Sequence, residues 1–410
     1  MDPAALPQVR LKITRRSGHP WIFQKMVEKP AARIPPGSIV EIIDRDGQWV
    51  GRGLYNGHSR ISLRVLTAKP EETIDADFFE RRLGRALELR RDWLKLDAVS
   101  DAYRLVHSEG DDLSGLVVDR FGSTLVLEFF SAGMFRCRQM ILDALLKHFP
   151  GSQSYWFAEE HVQKQESFDC RAPEPPAPSV VTEHGLRFRV APGTKHKTGF
   201  FLDQRDNRKR LAGFCAGKRV LDICCNSGGF AVYAKALGQA EEVTGIDLDE
   251  EAIALAKQNA NLNQARVRFV QADLFAYLRD ILGTHQESGI RSQESGGRNQ
   301  ESGNRQLFDV VVLDPAKQTR DREEIDYALK KYLDMNRLAL RAVAPGGIFL
   351  TCSCTGLIGE ETFLETVRRA SWQAGRTIQV LGLSGAGGDH PFLVHVPEGR
   401  YLKAVWCRVD

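Results

Sequence analysis

Two cysteines stand two positions apart in Phe349-Leu-Thr-Cys352-Ser-Cys354-Thr-Gly356, and an aspartate precedes a proline in Val311-Val-Leu-Asp314-Pro315-Ala316-Lys317. Each stretch reads as an apolar strand that ends in a reactive group. Proline holds the residue before it out of helical backbone, which suits a carboxylate that must meet the edge of a flat base. A thiolate offers different chemistry: by adding to carbon 6 of a pyrimidine it turns carbon 5 into an enamine carbon able to attack a methyl donor. Cysteines two apart share a strand face. In open parallel sheets ligands bind beyond the carboxyl ends of the strands, so Cys354, nearer that end, is the expected nucleophile. Cys352 reads as small core filler. Asp314 is expected to steady the base and to lie beside the methyl donor.

A donor site is written upstream. The segment Val220-Leu-Asp222-Ile-Cys-Cys-Asn226-Ser-Gly228-Gly229-Phe230 is a strand, a tight turn of small residues and the opening of a helix. Its glycines let backbone approach a ligand closely. The next strand ends in Asp247, placed to accept both hydroxyls of a ribose, and the one after ends in Asp273, placed to bond an adenine amino group. A nicotinamide cofactor expects G-x-G-x-x-G, which the turn lacks. S-adenosylmethionine fits better, because its ammonium and sulfonium call for the carboxylate of Asp222 and it has no pyrophosphate to cradle. The expected cofactor contacts are therefore Asp222, Asn226, Gly228, Gly229, Asp247, Asp273 and Asp314. The bland alternative is that the acids at these strand ends only cap helices.

The elements that must position these groups follow from patterning. From Lys218 onward strand and helix signals alternate, which predicts a mostly parallel α/β sheet with helices on both faces. Leu6 to Thr67 alternates apolar and polar residues between turn signals and predicts a small β-rich module, followed by an amphipathic helix over about Asp77 to Leu96. Residues 103 to 170 mix strands and helix. Arg171 to Ser179 holds four prolines and reads as an extended linker, where the main boundary is expected. Gln-Glu-Ser-Gly begins at Gln286, Gln293 and Gln300; three nearly apolar-free heptads build no core and read as a disordered surface insertion.

Charge is unevenly spread. Residues 1 to 70 carry 12 Lys/Arg against 5 Asp/Glu, and Glu183 to Arg210 carries 8 against 3, although the whole chain is only +3. Such asymmetry suggests a polyanionic partner, with Arg15 and Arg16 among the N-terminal contacts. No apolar run reaches the roughly 20 residues a membrane helix needs, so no membrane partner is expected. No secretion signal is evident and the eight cysteines do not form a disulfide framework, so free thiols, no metal site and a cytoplasmic location are expected.

The motifs also resemble those of PUA-domain-containing 23S ribosomal RNA cytosine-5 methyltransferases. Gly18-His-Pro-Trp-Ile-Phe23, Ser108 to Gly122, Lys195 to Arg205, Asn226-Ser-Gly-Gly-Phe230, Ser353-Cys354-Thr-Gly356, Asp389-His-Pro391 and Pro397 to Lys403 carry the resemblance over nearly the whole chain. It implies a PUA-like RNA-binding domain over 1–75 and a central α/β domain over 76–180 ending in the proline-rich linker. Residues 181–410 would form a class I Rossmann-like methyltransferase domain with a seven-stranded sheet, interrupted by the repeat insertion at 284–306. Lys195 to Arg205 would cover the cofactor as a hairpin, with Gln204 touching it and Lys195, Lys197 and Arg205 facing phosphates of ribosomal RNA. The implied reaction is methylation of cytosine carbon 5 in large-subunit RNA. The chain departs from the family at Asp314-Pro-Ala316-Lys-Gln318, where Pro and Phe are usual, and unlike the larger group of RNA cytosine-5 enzymes it has no cysteine directly after Asp314-Pro315. The acceptor of the C5 proton is then unassigned, with Cys352 and Asp389 as candidates. Methylation of another base such as guanine N7, or a noncatalytic ribosome assembly role, are the competing readings. A homodimer is compatible with the sequence.

Overall fold

A computed structural model describes residues 6–193, 200–283 and 306–410. The repeat insertion, Lys195 and Lys197 lie outside these described residues. Contacts divide the chain into two units: Met1–Asp203 with Gly387–Gly399, and Gln204–Ala386 with Arg400–Asp410.

In the first unit, β1 (Gln8–Arg10), β2 (Trp21–Phe23), β3 (Ser38–Ile43), β4 (Trp49–Tyr55) and β5 (Ile61–Thr67) form a sheet in the order β1-β3-β4-β5-β2. The alternation of the strands puts Val9, Ile22, Val40, Ile42 and Leu63 into one small core. Helix α1 (Ala76–Glu88) starts where Asp75 accepts from the Phe78 N–H, a side-chain cap that fixes its first turn. It buries Phe78, Phe79, Leu83, Ala86 and Leu87. A second sheet, β6 (Ala102–His107), β7 (Leu116–Phe121), β8 (Thr124–Phe129) and β9 (Gln153–Phe157), packs in that order with α2 (Ala132–Arg136), α3 (Arg138–His148) and α4 (Glu160–Glu166) around it in sequence.

The proline-rich stretch lies inside this unit, and the division falls later, at Asp203. The reason is in the hairpin β10 (Ser179–Glu183) and β11 (Leu186–Val190), which is stitched to the start of β6. Asp101 N–H donates to the Thr182 carbonyl at 3.1 Å and His184 N–H to the Val99 carbonyl at 2.6 Å. Residues 387–399 return to the same unit. Buried Arg90 donates to the Asp389 carbonyl at 2.6 Å, while the Asp389 carboxylate accepts from the Arg104 N–H at 3.0 Å.

The second unit is α5 (Arg205–Ala212), β12 (Arg219–Ile223), α6 (Gly229–Val232), β13 (Glu242–Asp247), α7 (Glu250–Leu262), β14 (Arg268–Gln271), α8 (Leu274–Ile281), β15 (Phe308–Leu313), α9 (Ile325–Arg341), β16 (Val343–Ser353), α10 (Glu360–Ala374), β17 (Ile378–Ser384) and β18 (Lys403–Val409). Its seven-stranded sheet runs β14-β13-β12-β15-β16-β18-β17, with the first five strands parallel and β18 antiparallel to both neighbours. This is the expected Rossmann-like α/β sheet. Strand order reverses between β12 and β15, and that switch point opens a crevice at their carboxyl ends. Strand β15 is a near-continuous apolar run because both its faces are covered, Val311 and Leu313 facing one core and Val310 and Val312 the other. Among the described residues no helix is long and apolar enough to cross a membrane.

Candidate active site

At the end of β12 the Asp222 side chain is fully buried. One of its oxygens accepts from the Ala231 N–H of α6 at 2.9 Å, and the other has no hydrogen-bond partner among the described residues. Burial pushes its carboxyl up to about 8, and the negative charges of Asp314 and Asp247 push the same way. Three carboxylates thus share one strand-end crevice, an arrangement that favours a cationic ligand. A donor with an ammonium and a sulfonium fits it: the unpartnered Asp222 oxygen calls for such a charge.

The turn after β12 is strained and tied down. Cys224, Asn226 and Gly228 all have positive φ, at 62°, 46° and 77°. Asp247 holds the turn through the Asn226 N–H at 2.9 Å and keeps its own loop through the Asp249 N–H at 3.0 Å. Buried Asn259 of α7 donates to the Ser227 carbonyl at 2.9 Å. A Cβ on Gly228 would lie 3.0 Å from both Ala256 and Phe269, so glycine is demanded there by φ and by space. At Gly229 a Cβ would come 3.0 Å from the Arg208 side chain. Asp273 is exposed, and one of its oxygens caps α8 through the Phe275 and Ala276 N–H groups, each at 3.0 Å. The capping reading of the acids therefore describes part of what Asp273 does.

Asp314 follows β15 and accepts from Gln204 at 3.0 Å. Gln204 is buried, and its own oxygen accepts from Asn207 at 2.7 Å. Asn207 accepts from Ser384 at 2.8 Å, and the Ser384 hydroxyl accepts from the Trp406 indole at 2.8 Å. A chain of side chains thus runs from β18 through β17 to the Asp314 carboxylate and fixes its rotamer.

Cys354 sits just past β16, half-buried beside the core that holds Cys352. Cys352 is fully buried between Val310, Val312, Leu350 and Trp406, the surroundings of a packing residue. The loops bearing Asp314 and Cys354 share a hub. The Thr355 hydroxyl accepts from the Gln318 N–H at 3.1 Å and lies 2.9 Å from the Tyr332 hydroxyl, to which Ser353 donates at 3.0 Å. Thr355, Ser353 and Tyr332 are fully buried. Cys224 and Cys225 are poor nucleophiles by contrast: burial, reinforced by the surrounding aspartates, pushes both thiols far above the usual range.

The expected RNA contacts are placed unevenly. Arg16 is exposed. Arg15 is half-buried and donates to the carbonyls of Ser17, Val50 and His19 at 3.0, 3.2 and 3.1 Å, so much of its donor capacity goes to backbone. The reading of Arg205 is corrected: it is 1% exposed and its guanidinium bonds Asp206 at 3.1 Å, so it shores up α5. Asn259, Tyr332 and Thr355 are residues that sequence reasoning missed, and Gln204 carries a role beyond the one expected of it. Gln204, expected as a cofactor contact, also holds Asp314 through its amide; the other three gave no periodic or motif signal beyond the Ser-Cys-Thr string.

Residues 13–68 match the model of a PUA-like domain and residues 148–375 that of an S-adenosylmethionine-dependent methyltransferase. The chain is 39% identical over 399 residues to ribosomal RNA large subunit methyltransferase I of Aeromonas hydrophila, covering 95% of both chains. It is 36% identical to the protein of that name from Escherichia coli, again over 95% of each. In fold it is similar to SMU.776, a methyltransferase solved in complex with SAH, with a TM-score of 0.78, 19% identity, and coverage of 98% of this chain and 100% of that one.

Proposed function

The chain belongs to the S-adenosylmethionine-dependent methyltransferases, within the family of ribosomal RNA large subunit methyltransferase I, and from that premise we propose that it methylates carbon 5 of a cytosine in 23S ribosomal RNA. The observation that carries the proposal is the pairing of a half-buried thiol and a held carboxylate on adjacent strand ends, Cys354 beyond β16 and Asp314 beyond β15, with Thr355 bonding both loops. S-adenosylmethionine, when bound, supplies an electrophilic methyl group. Asp222, Asp247, Asp273 and the turn at Asn226, Gly228 and Gly229 are the residues that would hold it.

Cys354 as thiolate adds to carbon 6 of the ring, and the new S–C6 bond pushes electron density to carbon 5, which takes the methyl. Asp314, oriented by Gln204, accepts from the exocyclic amino group at the ring's nitrogen edge and so fixes how the base lies against the methyl donor. Loss of the C5 proton then expels the Cys354 sulfur and restores the aromatic ring. Cys352 is enclosed in hydrocarbon and the Asp389 carboxylate already accepts from the Arg104 N–H, so on this reading the C5 proton leaves to a solvent base. The PUA-like region with exposed Arg16 supports capture of the RNA, for which the basic 183–210 stretch supplies further charge. A cytoplasmic site of action follows from such a substrate.

Cys354→Ala is expected to lose methyl incorporation into large-subunit RNA while binding S-adenosylmethionine in calorimetry as the parent does. Nucleoside analysis of the product should give 5-methylcytidine. Full turnover by the variant, or a methylated purine, refutes the reading.

A further inference from the structure

Lys403 closes one of the segments that carry the family resemblance, and although it is a lysine at the start of β18 it is only 3% exposed. It pairs in register with Ser353 of β16, one residue before the proposed nucleophile. Its ammonium donates to the carbonyl of Thr355, the residue after Cys354, at 2.7 Å, and to that of Tyr401 at 2.9 Å. Two of its three N–H bonds are thereby used. Burying an ammonium this deeply is costly unless a negative charge compensates it. The charged groups that act on it are Cys354 and Glu360, which favour the cation, and Lys317 and Arg400, which oppose it. Cys354 is the leading attractive partner. Hydrogen bonds to two carbonyls alone could be made by a neutral donor; a cation is needed only for an anion.

We propose that Lys403 is the positioning cation that holds Cys354 in its thiolate form. The inference rests on Cys354 as nucleophile. The thiol proton leaves to solvent, Lys403 keeps its own, and no bond to Lys403 forms or breaks. Burial lowers the Lys403 ammonium to about 8, so its support fades as pH rises past that point, while the thiolate itself is depleted at low pH. Activity therefore rises with pH as Cys354 ionises and falls as Lys403 loses its charge.

The test reads the thiol directly. The rate of Cys354 alkylation by iodoacetamide, resolved by peptide mass spectrometry across pH, reports its ionisation without turnover. In the intact wild-type protein the apparent pKa should lie below that of a free cysteine, about 8.5. Lys403→Met should raise it by at least about one pH unit, equivalent to about tenfold less thiolate at neutral pH. Lys403→Arg should restore the low value and remove the alkaline fall in activity. An ordinary or raised wild-type value overturns the proposal even where Lys403→Met fails to fold, as does an unshifted value in a folded Lys403→Met. Trapping on RNA containing 5-fluorocytidine separates the underlying reading: absence of a Cys354 adduct in wild type removes the nucleophile, whereas an adduct with an unshifted alkylation profile removes only the role of Lys403.

Discussion

Thr355→Val tests whether the two reactive loops are held by one hydroxyl. Valine keeps the shape of threonine, so the substitution opens no cavity. It deletes the oxygen that accepts from the Gln318 N–H at 3.1 Å and bonds Tyr332 at 2.9 Å. Because Thr355 and Tyr332 are both fully buried, water does not replace the lost partner. Leaving a buried polar group unsatisfied costs about 1–3 kcal/mol, and the Gln318 amide is less enclosed than the tyrosine, so a total of about 2–4 kcal/mol is expected. Tyr332→Phe should cost less, about 1–2 kcal/mol, because Thr355 retains its bond from Gln318 while Ser353 loses its acceptor and Thr355 its Tyr332 partner. The appropriate signal in urea is the transition that added S-adenosylmethionine shifts, since a ligand stabilises the unit that binds it. Turnover should fall by about tenfold to a hundredfold as Asp314 and Cys354 lose their fixed relation, with cofactor affinity unchanged. A Thr355→Val protein that turns over normally and unfolds within about 0.5 kcal/mol of the parent refutes the shared hub.

Cys352→Ala should retain turnover within a few fold and lose roughly 1 kcal/mol of stability, as expected of a sulfur that fills core space; an inactive but well-folded variant would make it a participant. The raised Asp222 carboxyl gives a signed pH dependence. Its folded value of about 8 exceeds the ordinary carboxyl value of 3.8, so between these the folded state holds a proton that the unfolded state has released, and stability without cofactor should decline as pH rises through that window. A cationic ligand prefers the ionised carboxylate, so S-adenosylmethionine binding should release protons below pH 8 and tighten with rising pH. Calorimetry in buffers of different ionisation enthalpy measures this, and proton uptake on binding would contradict it. Asp222→Asn should abolish the effect.

Much of the sheet was legible because its physics is local. Alternating strand and helix periods mark β12 to β16, and the rule that ligands gather at carboxyl strand ends picks out Asp222, Asp247, Asp314 and Cys354 without coordinates. The last two strands were not legible in residue patterning. Strand β17 is a sheet edge with Val380, Leu381 and Leu383 exposed, so it lacks the inward-outward contrast on which periodicity depends. Strand β18 inserts antiparallel between β16 and β17, an order that no periodicity encodes. Arginines are hard to read for a related reason. A basic stretch predicts positive potential, but Arg15 and Arg205 spend donors on backbone carbonyls and on Asp206, and charge counting cannot tell a solvated guanidinium from a strut. The division of units likewise depends on long-range bonds such as Arg104 to Asp389, invisible to a scan for prolines.

The site's electrostatics bear on why the proposed nucleophile is not the cysteine nearest the donor turn. Burial keeps Cys224 protonated, and carboxylates that suit a sulfonium and an ammonium push the same way, Asp247, Asp314, Asp222 and Asp273 all adding to it. A chain that binds a cationic donor through acids must therefore generate its thiolate where a countercharge is at hand. Strand β16 delivers Cys354 to such a place, because β18 runs antiparallel beside it and brings buried Lys403 opposite Ser353. On this argument the reversed seventh strand is more than cover for the sheet: it carries the cation that lets an acidic cofactor crevice and a nucleophilic sulfur coexist within one fold.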